Sequence, residues 1–241
     1  MRTPRVSLTA RDHRLVHAAW SLGWATSPTL TQLVSPGTSV KTLAGRLSEL
    51  AAAGYLRRRH VPAGPGAHVW LYGAGRNAAA IDGAYRDAWR PPDAQLAHTL
   101  AVSQTVAALT RPGALGGIEV TAWQGEAELR TWHEPGAPLP DLRLRWTLGD
   151  ASGAWAVEVD RGTEARGAWR RKLIRYLHRP DHTLLVVTTS DERARNIARI
   201  ARGLGVAALT TDRHALEGAP PLQVYDTRQG RRRRVDEAPT S

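Results

Sequence analysis

Apolar residues recur at helical spacing through the first 53 positions and then switch to strand-like runs. Leu15, Ala18, Ala19 and Leu22 predict a helix from about Thr9, which can cap it, to Leu22. Ser27 can cap a short second helix through Leu33, and Ser35-Pro36-Gly37 is a turn. A third helix is expected from about Ser39 to Ala53, with Val40, Leu43, Leu47, Leu50 and Ala51 as its apolar stripe and Gly54 as its cap. Tyr55 to Val61 and His68 to Tyr72, on either side of Pro62-Ala-Gly-Pro-Gly66, read as a β-hairpin. Three helices followed by a hairpin is the order of a winged helix-turn-helix.

Gly75 to Trp89 has the pattern of one more helix, broken by Arg90-Pro91-Pro92. Beyond it, Asp93 can cap a helix from Ala94 to Leu109. Strands are expected at Ile118–Trp123, Leu142–Leu148 and Ala154–Asp160, with Gly149 to Gly153 as a hairpin loop. A basic helix from Glu164 to His178, a buried strand from Thr183 to Thr189, a helix from Glu192 to Leu204 and a strand from Val206 to Thr210 complete the order αβββαβ, then αβ. The expected fold is α/β (α+β): a winged helix-turn-helix and then a three-layer domain with helices on both faces of a mixed sheet. The expected divisions are 1–74, a linker at 75–92, a second domain at 93–227, and a disordered basic tail at 228–241.

Charge sharpens this division. Residues 1–90 hold 12 Lys and Arg against 4 Asp and Glu, residues 91–227 hold 16 against 16, and residues 228–241 hold 5 against 2. Basicity gathered at the two ends suits a polyanionic partner, here double-stranded DNA. The outward positions of the third helix, Ser39, Lys41, Thr42 and Arg46, are short or basic side chains suited to a major groove. Arg57, Arg58 and Arg59 on the hairpin suit phosphate contacts. A winged helix used for dimerisation or other protein contacts is the competing reading, so a homodimer is a further expectation. The chain has no cysteine, which removes disulfides and thiolate metal sites and fits a reducing, cytoplasmic setting. No apolar run approaches the roughly 18 residues a spanning helix needs, and Met-Arg-Thr-Pro-Arg is not followed by the apolar core of a signal peptide, so no membrane association is expected.

The candidate chemistry lies in the second half. Asp141 opens one strand of a hairpin, and Glu158 and Asp160, two apart on its partner, share a face. Carboxylates gathered on one face repel unless a cation sits among them. Hard oxygen ligands without cysteine favour Mg²⁺ or Mn²⁺, which can activate water and stabilise charge on a phosphodiester. Lys172 and Tyr176 are four apart and share a helix face. Simpler roles compete at each position. Asp141 after a proline can be a turn residue, and Asp160 a loop cap. Glu158, inside Trp-Ala-Val-Glu-Val-Asp, needs either a functional role or a salt bridge to Arg143 or Arg145. His98 reads as a core residue on the apolar side of its helix, and Glu126 and Glu128 as solvated charges.

These residues carry a resemblance. His98-Thr-Leu-Ala-Val, Trp123-Gln-Gly-Glu-Ala-Glu-Leu-Arg, Pro140-Asp141, Val157-Glu-Val-Asp-Arg-Gly-Thr-Glu164 and Lys172-Leu-Ile-Arg-Tyr176, behind the winged helix, resemble the bacterial replication-relaxation family over about residues 8 to 190. The resemblance implies a role in plasmid or mobile-element replication or mobilisation, with proteins of those processes as partners. The second domain also looks like the PD-(D/E)XK nuclease fold in its RecB-like branch. That likeness implies His98, Asp141 and Glu158 as site residues and Lys172 to Tyr176 as the helix motif; an active site would then have Asp141, Glu158 and either Asp160 or His98 as metal ligands, Lys172 as a catalytic residue, and Tyr176 and Glu126 in support. The chain departs from the pattern twice: Asp160 stands where a catalytic lysine is usual, and Lys172 where the helix motif has glutamine. Either the lysine has moved from strand to helix and the site is a metal-dependent deoxyribonuclease, or catalysis is lost and the protein is a transcription or replication regulator with a degenerate nuclease fold.

Overall fold

The computed structural model describes residues 6–64, 67–85, 91–177, 183–218 and 221–237. Pro65-Gly66 of the expected turn, Arg90 of the expected break, His178, Arg179 and the last four residues of the tail lie outside the described residues. The chain forms two compact units, residues 1–107 with 126–131, and residues 108–125 with 132–241.

The first unit begins with α1 (Ala10–Ser21), β1 (Ala25–Thr26), α2 (Ser27–Val34) and α3 (Val40–Ala52). Each helix starts where a hydroxyl side chain can satisfy its open N–H groups. Thr9 and Asp12 form a reciprocal capping box on α1, while Thr26 caps α2 and Ser39 caps α3. Gly54, just past α3, has φ +78°, a conformation that a side chain disfavours. β2 (Leu56–Gly64) and β3 (Ala67–Ala74) pair antiparallel, and β1 joins the free side of β3, giving a three-stranded sheet in the order β1-β3-β2. Trp24, Val61 and Leu71 form a cluster against which Val69, Leu96 and Leu100 pack.

Leu96 and Leu100 belong to α4 (Leu96–Leu109). The sequence places this helix with the second domain, but its apolar contacts hold residues up to 107 in the first unit. The expected helix at 75–89 is instead a pair of short 3-10 turns, Ala78–Ala80 and Gly83–Tyr85, among the described residues. After β4 (Glu119–Gly125) the chain returns to the first unit as α5 (Glu126–Leu129). There the Ser21 hydroxyl donates to Glu128 at 3.0 Å.

The second unit is a seven-stranded mixed sheet. To β4 it adds β5 (Leu142–Leu148), β6 (Ala151–Val159), α6 (Arg166–Tyr176), β7 (Thr183–Thr188), α7 (Asp191–Leu204), β8 (Ala208–Asp212), α8 (Arg213–Glu217), β9 (Gln223–Asp226) and β10 (Arg231–Arg234). The strands lie in sequential order from β4 to β10. β4, β5 and β6 pair antiparallel, β6, β7 and β8 parallel, and β8, β9 and β10 antiparallel. The two parallel steps need crossovers, and α6 and α7 provide them. Both helices pack on one sheet face, where Ala156, Leu184, Val186 and Ala208 meet Trp169, Leu173, Tyr176, Ile197 and Ala201.

The arginine-rich segment expected as a tail is corrected as far as residue 237. Arg231 to Arg234 are an edge strand. Arg233 is buried and ion-paired with the buried Asp226, while Arg231, Arg232 and Arg234 face solvent. Charged side chains on an edge also discourage pairing with another chain.

Candidate functional site

Ala156, Glu158 and Asp160 alternate along β6 and its end, so all three point to the face covered by α6 and α7. Glu158 is almost wholly buried at 3% exposure. A carboxylate there requires partners, and α6 supplies them one turn apart. The Tyr176 hydroxyl donates to Glu158 Oε1 at 2.6 Å, and Lys172 Nζ donates to Glu158 Oε2 at 3.0 Å. The ion-pair partner of Glu158 is therefore Lys172, not Arg143 or Arg145.

Lys172 is held from a second side by Glu164 Oε1 at 3.1 Å, and its ammonium lies 5.0 Å from the centroid of the Trp169 ring. Asp141 stands at the start of β5, where its Oδ2 accepts the backbone N–H of Val159 at 2.7 Å. That bond ties the aspartate to the strand carrying Glu158. The grouping is electrostatically tight. Burial, and next the Asp141 charge, push Glu158 up to about 7, against the pull of Lys172 and Tyr176. Burial works to lower Lys172, but the carboxylates of Glu158, Asp141 and Glu164 outweigh it and raise the ammonium above its ordinary range. Tyr176 is raised by burial and by the charge of Glu158, so it serves as a neutral hydrogen-bond donor.

Asp160 does not join this group. Both its oxygens face the guanidinium of Arg193 on α7, with Arg193 Nη2 at 2.9 Å from Oδ1 and Nε on Oδ2. Arg193 also donates to the carbonyl of Glu164 at 2.7 Å. His98 is half-buried on α4, in the first unit. Glu126 lies in the first unit too, paired with Arg130 one turn on. Among the described residues no group of three or more His, Asp or Glu is arranged to hold a metal ion. What the fold brings together is Asp141, Glu158, Lys172 and Tyr176, with Glu164 added.

Glu164 and Arg193 were not singled out by sequence reasoning. The available signal was physical: a carboxylate at the end of an apolar strand needs a cation, and Arg193 is the first one on the helix after the next strand. Both residues line a cleft of about 440 Å³ between α6 and α7, together with Arg166, Trp169, Asn196 and Arg199.

The expected DNA-contacting residues divide in the same way. Lys41 and Thr42 are exposed on α3, and Ser39 and Thr42 share a hydroxyl hydrogen bond of 2.8 Å at its start. Arg46 turns inward. Its Nε and Nη2 grip the fully buried Asp12 at 2.9 and 2.7 Å, and Nη1 reaches Glu49 at 2.7 Å. Asp12 is held well below the usual carboxylate range, because hydrogen bonds from Arg46 and Thr9 overcome the effect of burial. On β2, Arg57 lies over the Trp24 ring at 4.3 Å and Arg59 pairs with Asp93, whereas Arg58 is exposed beside Trp70.

These features define a mixed α/β protein with a basic helical first unit and a seven-stranded sheet carrying a carboxylate–lysine cluster. The replication-relaxation family model matches residues 21–179, more than half of the chain, and the chain belongs to that family. Membership points to a role in replication or mobilisation. No curated protein and no solved structure gives a significant match. No helix among the described residues is long and apolar enough to cross a membrane.

Proposed function

We propose that this replication-relaxation protein binds duplex DNA through a winged-helix first unit and cuts phosphodiesters with a PD-(D/E)XK-like second unit in plasmid or mobile-element processing. The observation that carries the reading is the Lys172–Glu158 contact at 3.0 Å beside Asp141. An aspartate, a glutamate and a lysine stand together, with the lysine arriving from a helix instead of from the strand position held by Asp160.

The donor set suits Mg²⁺ or Mn²⁺, because such an ion commonly takes one or two carboxylates and keeps several waters. Asp141 and Glu158 would hold it. Once bound, the ion supplies an activated water and stabilises charge on the phosphodiester. Lys172, kept protonated by its three carboxylate neighbours, acts as a fixed cation for developing phosphate charge and not as a base. Tyr176 fixes the rotamer of Glu158. The cleft bearing Arg166 and Arg199 is suited to the nucleic-acid backbone.

The test is cleavage of linear, supercoiled and single-stranded DNA with Mn²⁺, comparing the wild type with Asp141→Ala and Glu158→Ala. Cutting by the wild type alone supports the reading, and no cutting of any form overturns it. A second reading, a non-catalytic regulator, is favoured by one observation: both oxygens of Glu158 are already engaged, by Lys172 and Tyr176. Under that reading Mn²⁺ gives no thermal stabilisation. A live site is stabilised by Mn²⁺, and Glu158→Ala removes the effect.

A further inference from the structure

Asp141, Arg143 and Arg145 alternate at the start of β5 and along it, so they share one sheet face. The register sets Arg143 opposite Ala156 and Arg145 opposite Ala154 on β6, which makes this the face of Glu158. A strand rises about 3.4 Å per residue, so the Cα atoms of Arg143 and Arg145 stand roughly 7 and 14 Å from that of Asp141. Helices α6 and α7 cover this face over β6, β7 and β8, but over β4 and β5 it opens. Arg145, Ala122 opposite it on β4, and Ser152 on β6 are exposed, and Arg143 is half-buried. Neither arginine has an ion pair or hydrogen bond among the described residues. Nε of Arg143 is covered and unpartnered, while its two terminal nitrogens remain open. The carboxylate that β4 places on this face is Glu119, opposite Thr147 and beyond both arginines.

We propose that Arg143 and Arg145 grip the phosphate backbone of DNA and lay its strand across the Glu158–Lys172 cluster. The proposal rests on the cleavage reading above and names residues that position its substrate. The cations nearer the cluster are committed to carboxylates, Lys172 to Glu158 and Glu164, and Arg193 to Asp160. The two arginines of β5 therefore carry the unneutralised positive charge on this face. A guanidinium presents a planar fork of donors that matches a phosphate, and the pair lies in line with Asp141, in reach of phosphates that flank one seated at the cluster. The small side chains of Ala122, Ser152 and Ala154 beside them leave the backbone room to approach. Neither arginine reaches the Lys172–Glu158 contact, so both are positioning residues whose loss weakens the hold on substrate and spares the chemical step.

Steady-state cleavage of linear duplex by the full chain with Mn²⁺ tests this across a salt series. Arg145→Ala should raise KM about tenfold, the scale of one charge-assisted hydrogen bond, and leave kcat within about twofold. The slope of log KM against log salt should fall by about one, a change that a merely structural role would not produce. Arg145→Lys, which keeps the charge and loses the fork, should recover part of the KM. An unchanged KM, or a loss confined to kcat, overturns the grip. A second measurement does not depend on cutting. The chain has no cysteine, so Ala122→Cys, beside Arg145, can carry a single benzophenone, with Gln229→Cys in the exposed turn between β9 and β10 as the control. On irradiation the label at 122 should crosslink to linear duplex well above the label at 229. Equal crosslinking overturns the grip whether or not the wild type cuts. Selective crosslinking at 122 with no cutting by the wild type retains the grip and overturns the cleavage reading.

Discussion

The ammonium of Lys172 on α6 lies 3.0 Å from Oε2 of Glu158 on β6, a residue fourteen positions earlier and 3% exposed. Under the proposed function, this contact supplies the cation that phosphodiester cutting would need. Replacing Lys172 with Met keeps its bulk and removes the charge. Cleavage is expected to fall by roughly a hundredfold or more, the scale of losing one electrostatic stabiliser. Duplex binding, which the proposed function assigns to the first unit, should be unchanged. Initial cleavage rates and anisotropy on the same DNA check both halves, and a parallel loss of binding would join two roles held separate here.

Arg193 and Asp160 give a stability prediction. The Asp160 side chain is fully buried, and Arg193 meets both its oxygens. Arg193→Ala would strand that carboxylate, at a cost of about 3 kcal/mol. Adding Asp160→Asn removes the stranded charge and should recover a good part of the loss. Urea titrations of the two single variants and the double variant measure the coupling. Since Asp160 is occupied by Arg193, Asp160→Asn alone should leave Mn²⁺-dependent thermal stabilisation in place.

The Asp12–Arg46 pair makes the first unit acid-sensitive. Burial alone would raise Asp12, but Arg46 and Thr9 hold it well below the usual carboxylate range. A carboxyl depressed in the folded state contributes stability that is complete above its unfolded pKa, about 4, and is lost as pH falls below that value. Hydrogen-exchange protection of α1 and α3 should therefore drop as pH is lowered below about 4. Asp12→Asn should be less protected at neutral pH and show a flatter profile over the acidic range.

Lys41 and Arg46 are expected to differ in DNA binding although both lie on α3. Lys41 is exposed, and Arg46 is closed onto Asp12 and Glu49. Lys41→Ala should weaken duplex binding and reduce the slope of log affinity against log salt by about one. Arg46→Ala should lower the stability of the first unit and leave the salt slope of the remaining folded protein unchanged. Anisotropy across a salt series, paired with thermal unfolding, separates the two effects.

Local chemistry made much of the fold legible. The capping hydroxyl of Thr9, the apolar stripe ending at Gly54, and the strand Leu142–Leu148 all act within a few residues of themselves. The partner of Glu158 was less legible. The sequence required one and offered Arg143 and Arg145 on the neighbouring strand, while Lys172 was read as a catalytic lysine moved to the helix face it shares with Tyr176 and not as the ion-pair partner of Glu158. The outward face of the hairpin was hidden further, because which residues lie on it depends on the pairing of His60 with Trp70 and on α4 covering the opposite face. The arginines at 231–234 read as a tail because four consecutive charges look solvated. A buried Asp226 on the adjacent strand turns the third of them inward.

The sequence by itself determined most of the helices and strands, though not the turns within 75–89 or the strand at 231–234, together with a basic first part ahead of a charge-balanced second, and the presence of Asp141, Glu158 and Lys172 on successive elements. Periodicity and charge are local properties that survive without knowledge of packing. Tertiary structure alone decided how those charges pair. Asp160 went to Arg193 and Glu158 to Lys172 because β6 places both carboxylates against α6 and α7, where a buried charge is tolerated only with a countercharge in reach. The same physics drew Arg46 away from solvent to Asp12 and left Lys41, Arg58 and Trp70 at the surface of the first unit.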